Sequence, residues 1–143
     1  MKIKPVVSDH IRTTHTSFTV DFYLEYNITF ICGDSGTGKS AVFSFIEELA
    51  TEDNRIKCFN YRDYKTQYTT SIKRFKGKLI VIDNADILLN DNMRNYIAFD
   101  GKNQYIIIGR NPTGLQLEMD EIFELKSEKL GNITLFTLEK SFN

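Results

Sequence analysis

Hydrophobic and polar positions form short segments along the chain, and these segments predict a protein rich in β-strands. In residues 17–23, three apolar side chains alternate with polar ones, which predicts a strand with one buried face. Residues 2–7 have a similar strand-like character. The polar stretch between them, residues 8–17, predicts a loop, and we expect its histidines, His10 and His15, to be surface residues rather than metal ligands.

Three runs of almost continuous apolar and β-branched residues predict strands that are buried on both faces of a sheet. These runs are residues 26–32, 78–83 and 104–109. Residues 55–61 predict a further strand. Residues 41–50 place apolar side chains three or four positions apart, which predicts an α-helix after the glycine-containing segment that follows the first of these runs.

The remaining segments complete the expected fold. Residues 61–75 and 87–97 have helical spacing, and the strand-like segments 121–126 and 133–140 flank turn residues, which predicts a C-terminal β-hairpin. Strands that alternate with helices favour a mostly parallel α/β sheet with right-handed crossovers. We therefore expect a single domain, residues 1–143, whose mostly parallel sheet carries extra N-terminal strands and the terminal hairpin.

The strongest candidate for chemistry is a glycine-rich segment between the first buried strand and the predicted helix. It matches the phosphate-binding pattern G-x-x-x-x-G-K-[ST] at every specified position, and its residues are Gly33, Asp34, Ser35, Gly36, Thr37, Gly38, Lys39 and Ser40. The glycines let backbone N–H groups close around anionic oxygens, and the positive end of a helix favours phosphate. The segment predicts a site for a nucleoside triphosphate with Mg²⁺.

A Mg²⁺-nucleotide site also needs a carboxylate, best placed at the end of a buried strand beside the strand that delivers the loop. Asp83, after four consecutive aliphatic residues, fits this requirement. With these two motifs, residues 26–111 resemble the P-loop NTPases, and their spacing is similar to that of the AAA-type ATPases. The resemblance implies that Lys39 contacts the β- and γ-phosphates, and that Ser40 and Asp83 hold the metal.

The same resemblance raises a question about hydrolysis. AAA-type proteins usually carry a glutamate after the Walker B aspartate, whereas this chain has Asn84. An amide cannot accept a proton at neutral pH, so we expect slow intrinsic turnover. Asp86 is the nearest carboxylate, and it can be read either as a second catalytic acid or as the N-cap of the following helix.

The resemblance to AAA-type proteins also implies a polar sensor residue near the γ-phosphate at the end of the fourth strand, and Arg110 and Asn111 fit that position. Arg110 can also be read as an arginine finger for a neighbouring subunit, or as a residue that covers the sheet edge. The helical lid of a complete AAA module is not expected, because the terminal hairpin leaves no room for it.

Rival functions remain open at this point. The guanine-reading NKxD motif and the LSGGQ-like signature of ABC ATPases are absent from the sequence, so the GTPases and the ABC ATPases fit worse and ATP is favoured over GTP. The leading hypothesis is an ATPase or ATP-driven switch. The alternatives are a P-loop kinase of a small molecule or nucleotide, and a non-catalytic module that binds nucleotide and interacts with a protein.

Charge and composition restrict the partners. The net charge is −1, from 18 basic and 19 acidic residues, so the chain as a whole has no field that attracts nucleic acid or anionic lipid. Residues 62–78 are locally basic and contain tyrosines; they predict either single-stranded nucleic-acid contact or a solvated helix face. A protein partner or a homo-oligomer also remains open.

The remaining features predict a cytoplasmic protein. The apolar runs are far shorter than the roughly 20 residues that a membrane-spanning helix needs. Cys32 and Cys58 lie in apolar runs and lack metal-site spacing, so we expect buried thiols in a reducing compartment. Acidic residues recur near the C-terminus in a pattern typical of a solvated sheet face; they are Glu118, Asp120, Glu121, Glu124 and Glu128.

Overall fold

A computed structural model describes residues 3–33 and 38–142. Its strands are β1 (His10–His15), β2 (Phe18–Tyr23), β3 (Ile28–Cys32), β4 (Ile56–Phe59), β5 (Leu79–Ile82), β6 (Gln104–Ile108), β7 (Ile122–Leu130) and β8 (Ile133–Lys140). Its α-helices are α1 (Lys39–Ala50), α2 (Tyr68–Arg74), α3 (Ala85–Leu88) and α4 (Asp91–Ala98). Two short 3₁₀ helices span Tyr61–Asp63 and Met119–Glu121.

The strands within these ranges form one sheet in the order β1-β2-β8-β7-β3-β6-β5-β4. Antiparallel pairing joins β1 to β2 and β7 to β8. Parallel pairing joins β8 to β2 on one side of the hairpin and β7 to β3 on the other. The hairpin therefore lies inside the sheet and links the N-terminal strands to β3.

The expected fold class, a mostly parallel P-loop core, is wrong, although the expected C-terminal hairpin is present as the antiparallel pair β7 and β8. The structure is a mixed eight-stranded sheet that starts with antiparallel strands and curls into a half-barrel, with about 27% helix. Half of the strands, β1, β2, β7 and β8, belong to antiparallel ribbons. Hydrophobic periodicity shows which face of a strand is buried, but it does not show which strands are neighbours, and this is why the sequence did not predict the arrangement.

The N-terminal elements also differ from the prediction. Residues 8–17 are not a loop, because most of them form β1, and residues 3–7 are irregular rather than a strand. Polar residues form a strand here because β1 is at the edge of the sheet and only one of its faces meets the core. On that strand Ile11 is 4% exposed, and the ring of His15 stacks on Phe45 of α1 with centroids 4.4 Å apart.

Two hydrophobic layers cover the two faces of the sheet. On one face, α1 contributes Val42, Phe43 and Ile46 to a core that includes alternate residues of β5 and β6 and reaches Phe136 of β8. On the other face, α2, α3 and α4 pack on the remaining residues of the same strands, such as Ile80 and Ile107. Because both faces are covered, the central strands read as continuous apolar runs.

Two further expectations are tested here. Within the described residues, the structure contains no helix that is long and apolar enough to cross a bilayer. Cys32 and Cys58 are free thiols, but they are half-buried rather than buried. Burial raises the pKa of the Cys58 thiol to about 12, which makes it a poor nucleophile.

A buried polar side chain, Asn103, connects the segments that lead into β5 and β6. Its amide N–H groups donate to the carbonyl oxygen of Phe75 at 2.8 Å and to Oδ2 of Asp100 at 2.9 Å. Its Oδ1 accepts from the N–H of Lys78 at 3.1 Å, and the side chain is fully buried. Asn103 therefore fixes the starting points of two strands whose opposite ends form the candidate site.

Replacing Asn103 by alanine is expected to lower the free energy of unfolding by about 3 kcal/mol, because several buried polar groups lose their partners together. Urea denaturation followed by circular dichroism measures this change. The exposed Asn95→Ala on α4 is the control, with an expected change within about 0.5 kcal/mol. Equal stability of the two variants would contradict the assigned role of Asn103.

Candidate nucleotide-binding site

A cleft of about 490 Å³ lies where β5 and β6 end and α1 begins. Its lining includes Lys39 and Ser40 from α1, Asp83 after β5, and Arg110 after β6. These positions are far apart in sequence, and they meet because β3, β6 and β5 run parallel, so that their carboxyl ends lie at one edge of the sheet.

The start of α1 is held close to the C-terminal hairpin. Gly38 precedes the helix with φ of 95°, a left-handed conformation that favours glycine. A Cβ built there would lie 2.9 Å from the ring of Phe136 on β8. The predicted phosphate ligands Asp34, Ser35, Gly36 and Thr37 lie outside the described residues, whereas Gly33, with φ of 135°, is described.

The first turn of α1 presents positive charge to the cleft. The helix has 12 residues, and its first N–H groups have no acceptor within the helix. Its first turn contains no acidic side chain that would neutralise the positive end of the helix dipole. The Nζ of Lys39 donates to the carbonyl oxygen of Gly33. Ser40 is exposed and lines the cleft.

Asp83 is a carboxylate with little access to solvent. It is 8% exposed, and its Oδ1 accepts from the N–H of Asn84 at 2.8 Å. Burial raises the pKa of Asp83, while the hydrogen bond from Asn84 and the charge of Lys39 act in the opposite direction. The expectation that its strand lies beside the loop-bearing strand is wrong, because β6 lies between β3 and β5. Asp83 still lines the same cleft as Lys39.

Asn84 has a structural role in the chain as described. It adopts φ of 54° and ψ of 43°, a left-handed conformation that asparagine tolerates better than most residues. Its Oδ1 accepts from the N–H of Tyr61 at 3.3 Å. The Asn84 side chain therefore connects the end of β5 to the 3₁₀ helix Tyr61–Asp63 that follows β4.

The reading of Asp86 as the N-cap of the following helix is wrong, whereas its reading as a second catalytic acid stays a prediction. The N-cap of α3 is Asn84, and Asp86 lies in the first turn of that helix. Its Oδ2 accepts from the N–H of Arg110 at 2.7 Å, and its Oδ1 accepts from the N–H of Asn111 at 3.0 Å. Asp86 lines the cleft, but both of its oxygens already hold the loop after β6.

Arg94 is an organising residue that the sequence reasoning missed. It is 7% exposed, and its guanidinium donates to the carbonyl oxygens of Asn111 at 2.6 Å and Thr113 at 2.7 Å. The same group lies 3.5 Å from Oδ1 of Asp86. No sequence signal distinguishes it, because a single arginine in a polar helical segment usually faces solvent.

The two sensor candidates differ in their positions. Arg110 is exposed and lines the cleft. The Asn111 side chain is engaged locally, because its Oδ1 accepts from the N–H of Thr113 at 3.0 Å. Arg110 therefore remains the better candidate for contact with a bound phosphate.

A second group of carboxylates lies outside this cleft. Oxygens of Glu118, Asp120 and Glu121 lie within 4.8 Å of one another, and this is an arrangement that could hold a cation. The prediction of a solvated face is wrong for Glu121, which is fully buried and whose pKa is raised by that burial. Its Oε1 accepts from the N–H of Glu118 at 3.0 Å, which caps the 3₁₀ helix Met119–Glu121.

Asp83→Asn is expected to stabilise the nucleotide-free protein at about pH 7. Burial raises the pKa of Asp83, so its protonated carboxyl group is favoured in the folded protein. The resulting contribution to the free energy of unfolding is complete only below the ordinary pKa of 3.8, and it is lost as the pH rises through the folded-state pKa. Asparagine does not ionise, so its advantage should shrink as the pH falls toward 3.8. Urea denaturation between about pH 7 and pH 3.8, in the presence of a chelator, measures the difference in the free energy of unfolding between the variant and the wild type. The exposed Asp9→Asn is the control, and an advantage for Asp83→Asn that is independent of pH would contradict the explanation.

Asp86→Ala is expected to lower the free energy of unfolding by about 2 kcal/mol. The substitution leaves the buried guanidinium of Arg94 without its counter-ion and removes the acceptor for two backbone N–H groups. We expect a smaller loss of stability than the breaking of a fully buried ion pair would cause, because the Asp86 side chain is 38% exposed. Urea denaturation measures the loss, and a change no larger than that of Asp9→Ala would rule out the role of Asp86 in holding Arg94 and the loop after β6.

Comparisons of the chain with models of protein families, with curated proteins and with solved structures give no match. The interpretation of the cleft therefore depends on its residues and their geometry.

Proposed function

We propose that this chain binds a nucleoside triphosphate, ATP with Mg²⁺, and acts as an ATPase or ATP-driven switch with slow intrinsic turnover. The observation that carries the proposal is the meeting of Lys39, Ser40 and Asp83 at the first turn of α1, in a cleft of about 490 Å³. Pockets for small ligands have volumes of roughly 300–1,000 Å³.

The residues present fit both parts of such a ligand. The N–H groups of the first turn of α1 and the ammonium of Lys39 are donors for phosphate oxygens. The hydroxyl of Ser40 and the carboxylate of Asp83 are the oxygen ligands that Mg²⁺ prefers. Burial raises the pKa of Asp83, and a cation beside it would stabilise the ionised form. When bound, Mg²⁺ supplies a positive charge that offsets negative charge on the phosphates.

Slow turnover follows from what the neighbouring polar groups already do. Asn84 cannot act as a general base, and its oxygen accepts from Tyr61. Both oxygens of Asp86 accept from backbone N–H groups, so this carboxylate is already engaged in holding the loop after β6. The same observations favour a second candidate, a non-catalytic module that binds nucleotide as a ligand. A P-loop kinase normally closes a lid with several arginines over the donor phosphates. That alternative loses support, because Arg94 is buried under the loop after β6.

Lys39→Ala is expected to weaken Mg²⁺-ATP binding by at least about 30-fold, because the site loses its charged phosphate donor. Isothermal titration calorimetry of the wild type and the variant, with ATP and with GTP, measures the change. The control is Lys126→Ala, an exposed lysine on β7 that does not line the cleft. Affinity that is unchanged in Lys39→Ala would exclude the proposed site.

Measurement of phosphate release by the wild type and by Lys39→Ala distinguishes the ATPase or switch from the non-catalytic module. Slow release of phosphate that Lys39→Ala abolishes supports an ATPase or switch. Retained ATP affinity with no release, also in the presence of nucleic acid, supports the non-catalytic module. Transfer of the γ-phosphate to an acceptor other than water would contradict both candidates.

A further inference from the structure

Two tyrosines and two cations lie exposed on and directly after the 3₁₀ helix Tyr61–Asp63, and we call them the tyrosine-cation surface: Tyr61, Arg62, Tyr64 and Lys65. The tyrosine side chains are 53% and 59% exposed, and both cations are exposed. Aromatic rings of this size usually pack in a core or an interface. Their exposure side by side therefore needs an explanation.

The local backbone is the reason why these rings face solvent. Helical spacing in residues 61–75 predicted a continuous apolar stripe, but α2 starts only at Tyr68. Of that stripe, only Tyr68 and Ile72 are buried in the core. Tyr61 instead opens a separate 3₁₀ helix, whose capping box turns Asp63 toward the N–H of Asn60 at 3.0 Å.

The segment of sequence that carries this surface is basic. Residues 61–78 contain six cations, Arg62, Lys65, Lys73, Arg74, Lys76 and Lys78, and one acid, Asp63, although the whole chain has a net charge of −1. In the capping box the Asp63 carboxylate accepts from the backbone N–H of Asn60, so its negative charge lies against the backbone. Glu47 of α1 is the acid whose charge acts on Arg62. The guanidinium of Arg62 lies 5.7 Å from the centre of the Tyr61 ring, which places charge and aromatic face together.

We propose that the tyrosine-cation surface binds single-stranded nucleic acid. Unpaired bases would stack on the rings of Tyr61 and Tyr64, while Arg62 and Lys65 would contact the phosphates. Exposed ring faces favour single strands over a duplex, because bases in a duplex already stack on one another. A cation next to each tyrosine favours a polyanion over an apolar protein partner.

The surface is also linked to the nucleotide cleft, and this part of the inference rests on the proposed function. The N–H of Tyr61 donates to Oδ1 of Asn84, and the N–H of Asn84 donates to Oδ1 of Asp83. Two hydrogen bonds therefore separate the stacking residue from the carboxylate assigned to Mg²⁺. Asn84, in the position of the usual catalytic glutamate, would couple nucleotide state to strand binding.

Fluorescence anisotropy with a labelled thymidine oligonucleotide of about 20 bases tests the surface directly. Without nucleotide, the wild type should bind the oligonucleotide at about 50 mM salt and lose affinity steeply as the salt is raised. Tyr61→Ala/Tyr64→Ala should weaken binding at least tenfold. Phe99→Ala removes a ring that is 62% exposed near the start of β6, and it should bind like the wild type.

Several results would overturn the inference. They are the absence of wild-type binding at low salt, equal affinity of the double tyrosine variant and the wild type, and an equal preference for duplex of the same length. Arg62→Gln/Lys65→Gln gives a second test that keeps both rings. This variant should bind the oligonucleotide more weakly, and its affinity should fall less steeply as the salt concentration is raised. A salt dependence as steep as that of the wild type would count against contacts between these two cations and the phosphates.

The coupling has its own measurement, so its failure can be told apart from failure of the nucleotide site. Lys39→Ala should retain oligonucleotide affinity without nucleotide, which tests the surface even if ATP does not bind. With ATP binding established by calorimetry, Mg²⁺-ATP should change the oligonucleotide affinity of the wild type but not that of Asn84→Ala. An identical response in both proteins would disprove the relay through Asn84.

Discussion

The pairing of β3 with β6 on one side and with β7 on the other is the constraint on which the rest of the structure depends. It places β3 between two parts of the sheet. The parallel strands β6, β5 and β4 lie on one side of β3, and the antiparallel ribbons of β7 with β8 and of β1 with β2 lie on the other. Both hydrophobic layers include residues of β3, since Ile31 belongs to one layer and Phe30 to the other. The start of α1 follows from this central position, because α1 is the next regular element after β3.

One consequence is that the candidate site and the C-terminal hairpin share a boundary. The backbone at Gly38 leaves no room for a side chain, because Phe136 of β8 and Leu125 of β7 lie against it. Such close contact fixes the direction in which α1 leaves the glycine-rich segment, and therefore where its positive end points. The hairpin thus supports the cleft as well as completing the sheet.

Around the cleft, polar side chains that could take part in catalysis are used to hold backbone. Asp86 and Arg94 fix the loop after β6 from opposite sides, through its N–H groups and its carbonyl oxygens. Asn84 holds the start of the 3₁₀ helix after β4. These contacts shape a site suited to ligand binding, and they leave Arg110 as an exposed cation of the cleft.

The sequence by itself determined the features that depend on neighbouring residues. The apolar runs that became β3, β5 and β6, the helix after Gly38, and the position of Asp83 at a strand end all follow from local pattern. Only the tertiary structure decided the strand order, the strand character of the polar residues in β1, the use of Asp86 and Arg94, and the exposure of Tyr61 and Tyr64. Those features depend on contacts between residues far apart in the chain, and a residue's period or propensity contains no information about such a distant partner.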